Sequence, residues 1–337
     1  MRYRVQQQLG RLPQKVAGKA VARAHVLDVL VALLSCRSKL FSQGWGDEAF
    51  LAELPGALSH AGTAAAISPV WHGTNQRGQI VRRDGTFRSP LTKLPDESRT
   101  VHLRSWLRDE NQSACVILAG SRDEGYLLRE HVFGSLASRG IDLYFTENPY
   151  YGLRRMAGGL SAIKVSDQAM MALGMVLEAR ALVTWLRGRY ARLAIAGYSM
   201  GGHMAAIAAT ITPFPVACAA LATGASASSI YTRGLLSWSV DFDELSQGTA
   251  HSATARQWLH RWFDAADVTN YQPPLRADAA VILGCTRDGY ILQSETERLH
   301  RHWPGSSLRW LAAGHFSALL TSRRALCDCV ADALAKL

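Results

Sequence analysis

The sequence predicts an α/β fold with a mostly parallel central sheet and helices on both faces, and three features of its 337 residues carry that prediction. From residue 114 onward, apolar runs of strand length alternate with longer helix-forming segments, the signature of parallel strands joined by helical crossovers. One of those runs, 193–197, breaks through a Gly-Tyr-Ser-Met-Gly turn directly into a helix of small residues. Apolar residues make up 48% of the chain, enough for a large core.

Taken in order, residues 1–56 read as a mostly helical N-terminal extension packed on the core, with an aromatic turn at Phe41-Ser42-Gln43-Gly44-Trp45-Gly46. Within it, the apolar segment 26–36 is too short for a membrane span, which needs at least about 18 residues. It is interrupted by Asp28, and Leu34 stands where a lipoprotein cleavage site requires a small residue, so an amphipathic helix is the expectation. Residues 57–337 form the main domain. A hairpin is expected from 80–83, a turn at Asp84-Gly85 and the residues after it, followed by a strand over 99–108. Strands are then expected at 114–119, 141–145, 193–197, 215–221, 281–285 and 307–311, and helices at 126–138, 165–188 and 293–302, with Arg192 closing the helix before the strand 193–197. A cap-like insertion occupies about 225–278. Its aromatics (Trp238, Phe242, Trp258, Trp262 and Phe263) either line an acyl pocket over the serine or build the insertion's own small core.

The turn at 197–201 has the Gly-x-Ser-x-Gly pattern of a nucleophile elbow. A strand that reverses into a helix holds its turn residue in a strained conformation, and Gly197 and Gly201 let the two elements approach. Ser199 then stands at the helix N-terminus, where unpaired N–H groups favour developing negative charge. A serine hydroxyl needs a base to take its proton and an acid to fix the base's tautomer, expected in the chain order serine, acid, histidine. Asp288 follows the strand 281–285 and His315 follows the strand 307–311. Asp241 or Asp243 is the competing acid. His203 is the competing base, but one helical turn past Ser199 it suits helix packing or the substrate side better. The oxyanion donors are expected from Met200 N–H and from Ser121 or Arg122 in the loop Gly120 to Gly125.

Six cysteines (Cys36, Cys115, Cys218, Cys285, Cys327 and Cys329) are scattered, which predicts reduced thiols and a cytoplasmic or membrane-peripheral protein. Cys327-x-Cys329 lacks a second pair, so no metal site is expected, and serine chemistry needs no cofactor. The net charge of +10 is uneven, because Arg2, Arg4, Arg11, Lys15, Lys19 and Arg23 all precede the first acid, Asp28. Lys15, Lys19 and Arg23 share one helical face, which reads as a solvated face, a contact with an anionic membrane, or a targeting leader. No nucleic-acid motif accompanies them.

The stretches Glu147-Asn148-Pro149-Tyr150-Tyr151-Gly152-Leu153-Arg154-Arg155 and Ser199-Met200-Gly201-Gly202-His203-Met204-Ala205 resemble the α/β-hydrolase domain-containing protein 18 family. So do the Phe-x-x-Gly-Trp-Gly pattern at 41–46, Asp84-Gly85-x-Phe87-x-Ser89-Pro90, and Gly314-His315-x-Ser317-Ala318. The resemblance runs over most of the chain. It implies an α/β-hydrolase fold and supports the same serine, aspartate and histidine. Two departures matter: Gly120-Ser121-Arg122-Asp123-Glu124 replaces a Gly-Thr-Gly-Asp-His type sequence, and Tyr198 stands where a smaller aliphatic is usual. The motif 147–155 follows a strand on the same sheet edge, so Tyr150, Tyr151, Arg154 and Arg155 are expected beside the serine, the arginines binding a substrate phosphate or carboxylate. The alternative is a solvated Asn-Pro loop.

These features predict a serine hydrolase that cleaves an amphiphilic or lipid-like acyl ester through an acyl-enzyme. An acyltransferase or thioesterase with the same triad, and a non-catalytic binding protein on the same fold, are the alternatives.

Overall fold

In the computed structural model, residues 23–59, 63–156, 163–247, 255–264 and 266–337 are described. Their strands are β1 (Val70–Arg77), β2 (Ile80–Arg88), β3 (Thr100–Leu107), β4 (Ser113–Leu118), β5 (Ile141–Thr146), β6 (Arg192–Tyr198), β7 (Ala217–Leu221), β8 (Ala280–Cys285) and β9 (Ser307–Leu311). They form one sheet in the order β1-β2-β3-β5-β4-β6-β7-β8-β9. The pairings from β1 to β5 by way of β3 are antiparallel, and every pairing from β5 to β9 is parallel.

The continuous apolarity of β4, β7 and β8 reflects burial on both faces. Alternation along each strand divides the core. Val116, Ile195, Ala220 and Ile282 pack on one side, and Cys115, Ile117, Ala196 and Val281 on the other. The first side is covered by α4 (Val165–Leu186) and α5 (Met200–Thr210), the second by α3 (Leu127–Phe133) and α11 (Arg323–Ala335). By length and hydropathy α4 could cross a membrane, yet 72% of its most apolar stretch is buried inside the protein, as befits a core helix. The remaining helices are α1 (Val26–Ser35), α2 (Glu48–Ser59), α6 (Ser228–Thr232), α7 (Phe242–Gln247), α8 (Ala255–Asp264), α9 (Gln293–His302) and α10 (His315–Thr321).

Three expectations are corrected. Asp84-Gly85 is not a turn; both lie inside β2, and the chain reverses at Gly78 and Gln79. A Cβ on Gly85 would sit 2.8 Å from the Trp71 ring, and Asp84 pairs with Arg104 of β3, so this Asp-Gly serves strand packing. Arg192 opens β6 and does not close the long helix, which ends at Leu186. The expected helix over 126–138 is α-helical only to Phe133 and continues as a tighter 3-10 segment, Gly134–Arg139.

The charged face of Lys15 and Lys19, with all of residues 1–22, lies outside the described residues. In the insertion, Tyr231 stacks on Phe263 with centroids 4.3 Å apart, and Phe41 of the N-terminal aromatic turn packs on both rings. Trp45 donates its indole N–H to the Leu245 carbonyl at 3.1 Å. The aromatics of the two segments therefore bind each other together.

Candidate active site

Ser199 is held at φ 58° and ψ −121°, a strained conformation for a residue with a side chain. The surroundings require it. A Cβ on Gly197 would lie 2.3 Å from the Gly201 backbone, and one on Gly201 would lie 2.4 Å from the Leu118 carbonyl. Only glycines allow β6 and α5 to meet this closely, and the Ser199 N–H donates to Leu221 O at 2.8 Å to fix the turn to β7.

The loop after β8 carries Asp288, and the first residue of α10 is His315. Both side chains are buried. His315 Nδ1 lies 2.7 Å from Asp288 Oδ2, and Nε2 lies 2.8 Å from Ser199 Oγ. The tautomer that satisfies both contacts has its proton on Nδ1, donated to Asp288, and a lone pair on Nε2 for the serine hydroxyl. The other carboxylate oxygen, Asp288 Oδ1, accepts from the N–H groups of Tyr290 (2.8 Å) and Ile291 (2.9 Å). Burial disfavours a charged imidazole here, but the charge and hydrogen bond of Asp288, with the charge of Asp28 added, hold the His315 pKa above its ordinary value.

Met200 N–H is the first donor of α5 and, like Ser121 N–H, has no acceptor among the described residues. Arg122 differs. Its backbone has φ 63°, its N–H donates to the Tyr151 hydroxyl at 3.1 Å, and it has none to spare for an oxyanion. Of the two expected loop donors, Ser121 is the one available.

A cavity of about 470 Å³ opens over Ser199 and His315, within the range of small-molecule sites. Its walls are largely apolar, with Leu27 and Val31 of α1, Leu128 and Val132 of α3, and Leu319 and Leu320 of α10, and Arg122, Asp123 and Arg129 add charged groups to the lining. The insertion contributes Ile230 and Leu236, and none of the five aromatics singled out in it. The cap aromatics thus meet neither expectation in full: Phe263, with Phe242 and Trp262 against it, belongs to the main core shared with the N-terminal segment, Trp238 packs with Leu235 and Tyr290, and Trp258 is exposed.

Five expected substrate contacts are not brought to this cavity. Arg154 is fully buried, with two hydrogen bonds to Glu178 (2.6 and 2.8 Å) and others to the carbonyls of Ser98 and Glu147. Tyr150 and Tyr151 are core residues. Arg155 pairs with Glu124 on the surface. Each ring nitrogen of His203 faces a backbone carbonyl, Gly224 at 3.1 Å and Ala266 at 2.8 Å, so it ties α5 to the neighbouring loops. The motif at 147–155 is a brace, buried over 147–151 and at Arg154 and exposed at Gly152, Leu153 and Arg155; a bidentate arginine is as useful for tying loops as for binding anions. Asp241 accepts from Glu244 N–H at the start of α7, away from the serine.

Two residues that support the site had no assigned role in the sequence. Tyr198 donates its hydroxyl to the His315 carbonyl at 2.6 Å. Asp28 accepts from the N–H groups of Gly289, His315 and Phe316. A lone acid inside an apolar helix was the available signal for Asp28, since a charge is seldom placed on a buried face without partners.

The profile of a family described as "Alpha/beta hydrolase domain containing 18" matches residues 38–257 and 247–336. Among solved structures, the chain is similar to acetyl xylan esterase 1 from Thermoanaerobacterium sp., at 12% identity and a TM-score of 0.56 over 87% of this chain and 98% of that one. It is also similar to an acetyl xylan esterase from Paenibacillus sp. R4 (13%, TM-score 0.55, 86% and 98%) and to an esterase from Pyrococcus furiosus (15%, TM-score 0.50, 81% and 99%). At these identities the likeness concerns the fold, which is that of the α/β-hydrolases.

Proposed function

The chain belongs to the alpha/beta hydrolase domain containing 18 family, and from that premise and the geometry we propose that it is a serine esterase acting on amphiphilic, lipid-like acyl esters. One observation carries the reading: Ser199 Oγ, His315 and Asp288 form a continuous hydrogen-bonded chain on the wall of an apolar cavity.

The chemistry follows from those atoms. Ser199 Oγ attacks the acyl carbonyl while His315 Nε2 takes its proton, and Asp288 stabilises the imidazolium that forms. The N–H groups of Met200 and Ser121 receive the oxyanion. His315 then protonates the departing alcohol, leaving an acyl-serine. In the second half, His315 deprotonates water, which attacks the acyl-serine, and the proton returns to Ser199 as the acid leaves.

Support for a lipid-like substrate comes from the cavity walls and from their outer edge. Val26, Leu30, Leu33 and Leu34 fall on one face of α1 and are exposed, Leu34 at 65%. Leu127 (79%) and Leu320 (70%), on the other two helices that wall the cavity, are exposed as well. Exposed apolar side chains on all three helices that wall the cavity fit contact with acyl chains, and the six cations preceding Asp28 fit an anionic lipid surface.

The test is hydrolysis of p-nitrophenyl esters from acetate to dodecanoate by wild type and Ser199→Ala. Cleavage that favours chains longer than acetate and disappears in Ser199→Ala is the expected result. A folded wild type inert on the whole series would refute the proposal.

A further inference from the structure

We propose that Asp28, on the N-terminal helix α1, is a positioning residue for His315, so that α1 is a working part of the catalytic apparatus as well as a wall of the cavity. The inference rests on the serine-esterase reading and adds a residue to it. Asp28 is completely buried, and among the described residues its carboxylate is held by backbone N–H groups alone. Oδ2 accepts from Gly289 N–H at 3.0 Å and from His315 N–H at 2.8 Å, and Oδ1 accepts from Phe316 N–H at 3.0 Å. One carboxylate therefore joins the loop that carries the acid to the residue that is the base.

The approach is close by construction. Gly314, just before His315, has no room for a side chain: a Cβ there would lie 2.3 Å from His25 Cβ and 2.9 Å from Asp28 Oδ2. Two further bonds lock α1 to the same loop, His25 N–H to Arg287 O at 2.8 Å and the Tyr290 hydroxyl to Asp28 O at 3.3 Å. Ala32, one turn on from Asp28, packs against Leu235, Tyr290 and Ile291. A buried carboxylate held by N–H groups is costly to maintain, whereas an apolar residue at this helix position would dock α1 without the desolvation. The charge has a use at the imidazole. It adds to that of Asp288 in favouring the imidazolium that His315 must become when it takes the serine proton.

The other titratable groups around His315 are Asp288, His25, Cys285, Tyr198 and Tyr290, with Arg122 across the cavity. Burial keeps the Tyr198 and Tyr290 hydroxyls above the ordinary tyrosine value and pushes the Cys285 thiol up to about 12, so these three stay neutral over the assay range.

The experiment compares kcat, KM and the acidic limb of kcat/KM for wild type, Asp28→Asn and Asp28→Glu, with p-nitrophenyl butyrate as substrate. Asp28→Asn is expected to lower kcat roughly 10- to 100-fold with little change in KM, the size of effect a misplaced catalytic group produces. It is also expected to move the limb to lower pH by about half a unit or more, because a nearby negative charge is gone. Asp28→Glu keeps the charge and is expected to leave the limb in place. Loss of activity with an unmoved limb in Asp28→Asn would mark a purely structural residue and overturn the proposal, as would unchanged kinetics. If Asp28→Asn does not fold, Ala32→Phe displaces α1 with Asp28 intact and is expected to move the limb in the same direction; an unmoved limb there overturns the proposal. An inactive wild type sinks the esterase reading together with this one. An active wild type with an indifferent Asp28→Asn sinks this one alone.

Discussion

Replacing Asp288 by asparagine leaves the shape of the site intact and removes one acceptor. Asp288 Oδ1 is occupied by two backbone donors and Oδ2 by the His315 Nδ1–H. An amide has one oxygen to offer. Turned toward His315, it would place its NH₂ against the Tyr290 and Ile291 N–H groups, leaving buried donors unsatisfied at about 1–3 kcal/mol each. The amide therefore keeps its oxygen on the backbone and presents NH₂ to Nδ1, which must give up its proton. The ring proton moves to Nε2, and the nitrogen 2.8 Å from Ser199 Oγ becomes a donor where an acceptor is needed. A trapped tautomer of this kind costs about 10⁴ in kcat, or roughly 5 kcal/mol of transition-state stabilisation. The assay is kcat on p-nitrophenyl butyrate, with thermal melting by circular dichroism to establish that the variant is folded. A folded Asp288→Asn within tenfold of wild type would refute this use of Asp288.

Three further outcomes are expected. Activity should fall on the acidic side as His315 becomes protonated, since its imidazolium cannot accept the serine proton; because its pKa is raised, the midpoint of kcat/KM should lie above the ordinary 6.5, and a midpoint at or below it would contradict the geometry. Arg154→Met breaks a fully buried pair with Glu178 and should destabilise the protein by about 3–5 kcal/mol in urea titrations. The folded fraction should retain wild-type KM, and a large rise in KM would restore Arg154 to substrate binding. Leu30→Asp and Leu34→Asp should each reduce partition onto phosphatidylglycerol vesicles by roughly tenfold, from the burial of one leucine side chain, and partition within twofold of wild type would argue against a lipid surface at this face.

The elements that were readable in the sequence are those whose physics is local. The strands β4, β6 and β8 are continuous apolar runs, and the glycines around Ser199 record the crossing of β6 and α5 in five residues. The chain order of Ser199, Asp288 and His315 brought together three residues that the structure places in hydrogen-bonded contact. What was not readable depends on partners far along the chain. Asp84-Gly85 looks like a turn until Trp71 and Arg104 are in place on either side. Arg154 and Arg155 look alike in sequence, yet one meets Glu178 in the core and the other meets Glu124 at the surface. Asp28 reaches residues more than 260 positions away, so the sequence shows only that an acid is out of place in an apolar helix.

The central claim is that Ser199 is an activated nucleophile, and covalent labelling by a fluorophosphonate, located by mass spectrometry of the digested protein, tests it most directly. The expected result is one phosphonyl group on Ser199, none in Ser199→Ala, and labelling that collapses in folded His315→Ala. Wild-type protein that is folded but unlabelled, or a label that persists in Ser199→Ala, would contradict it.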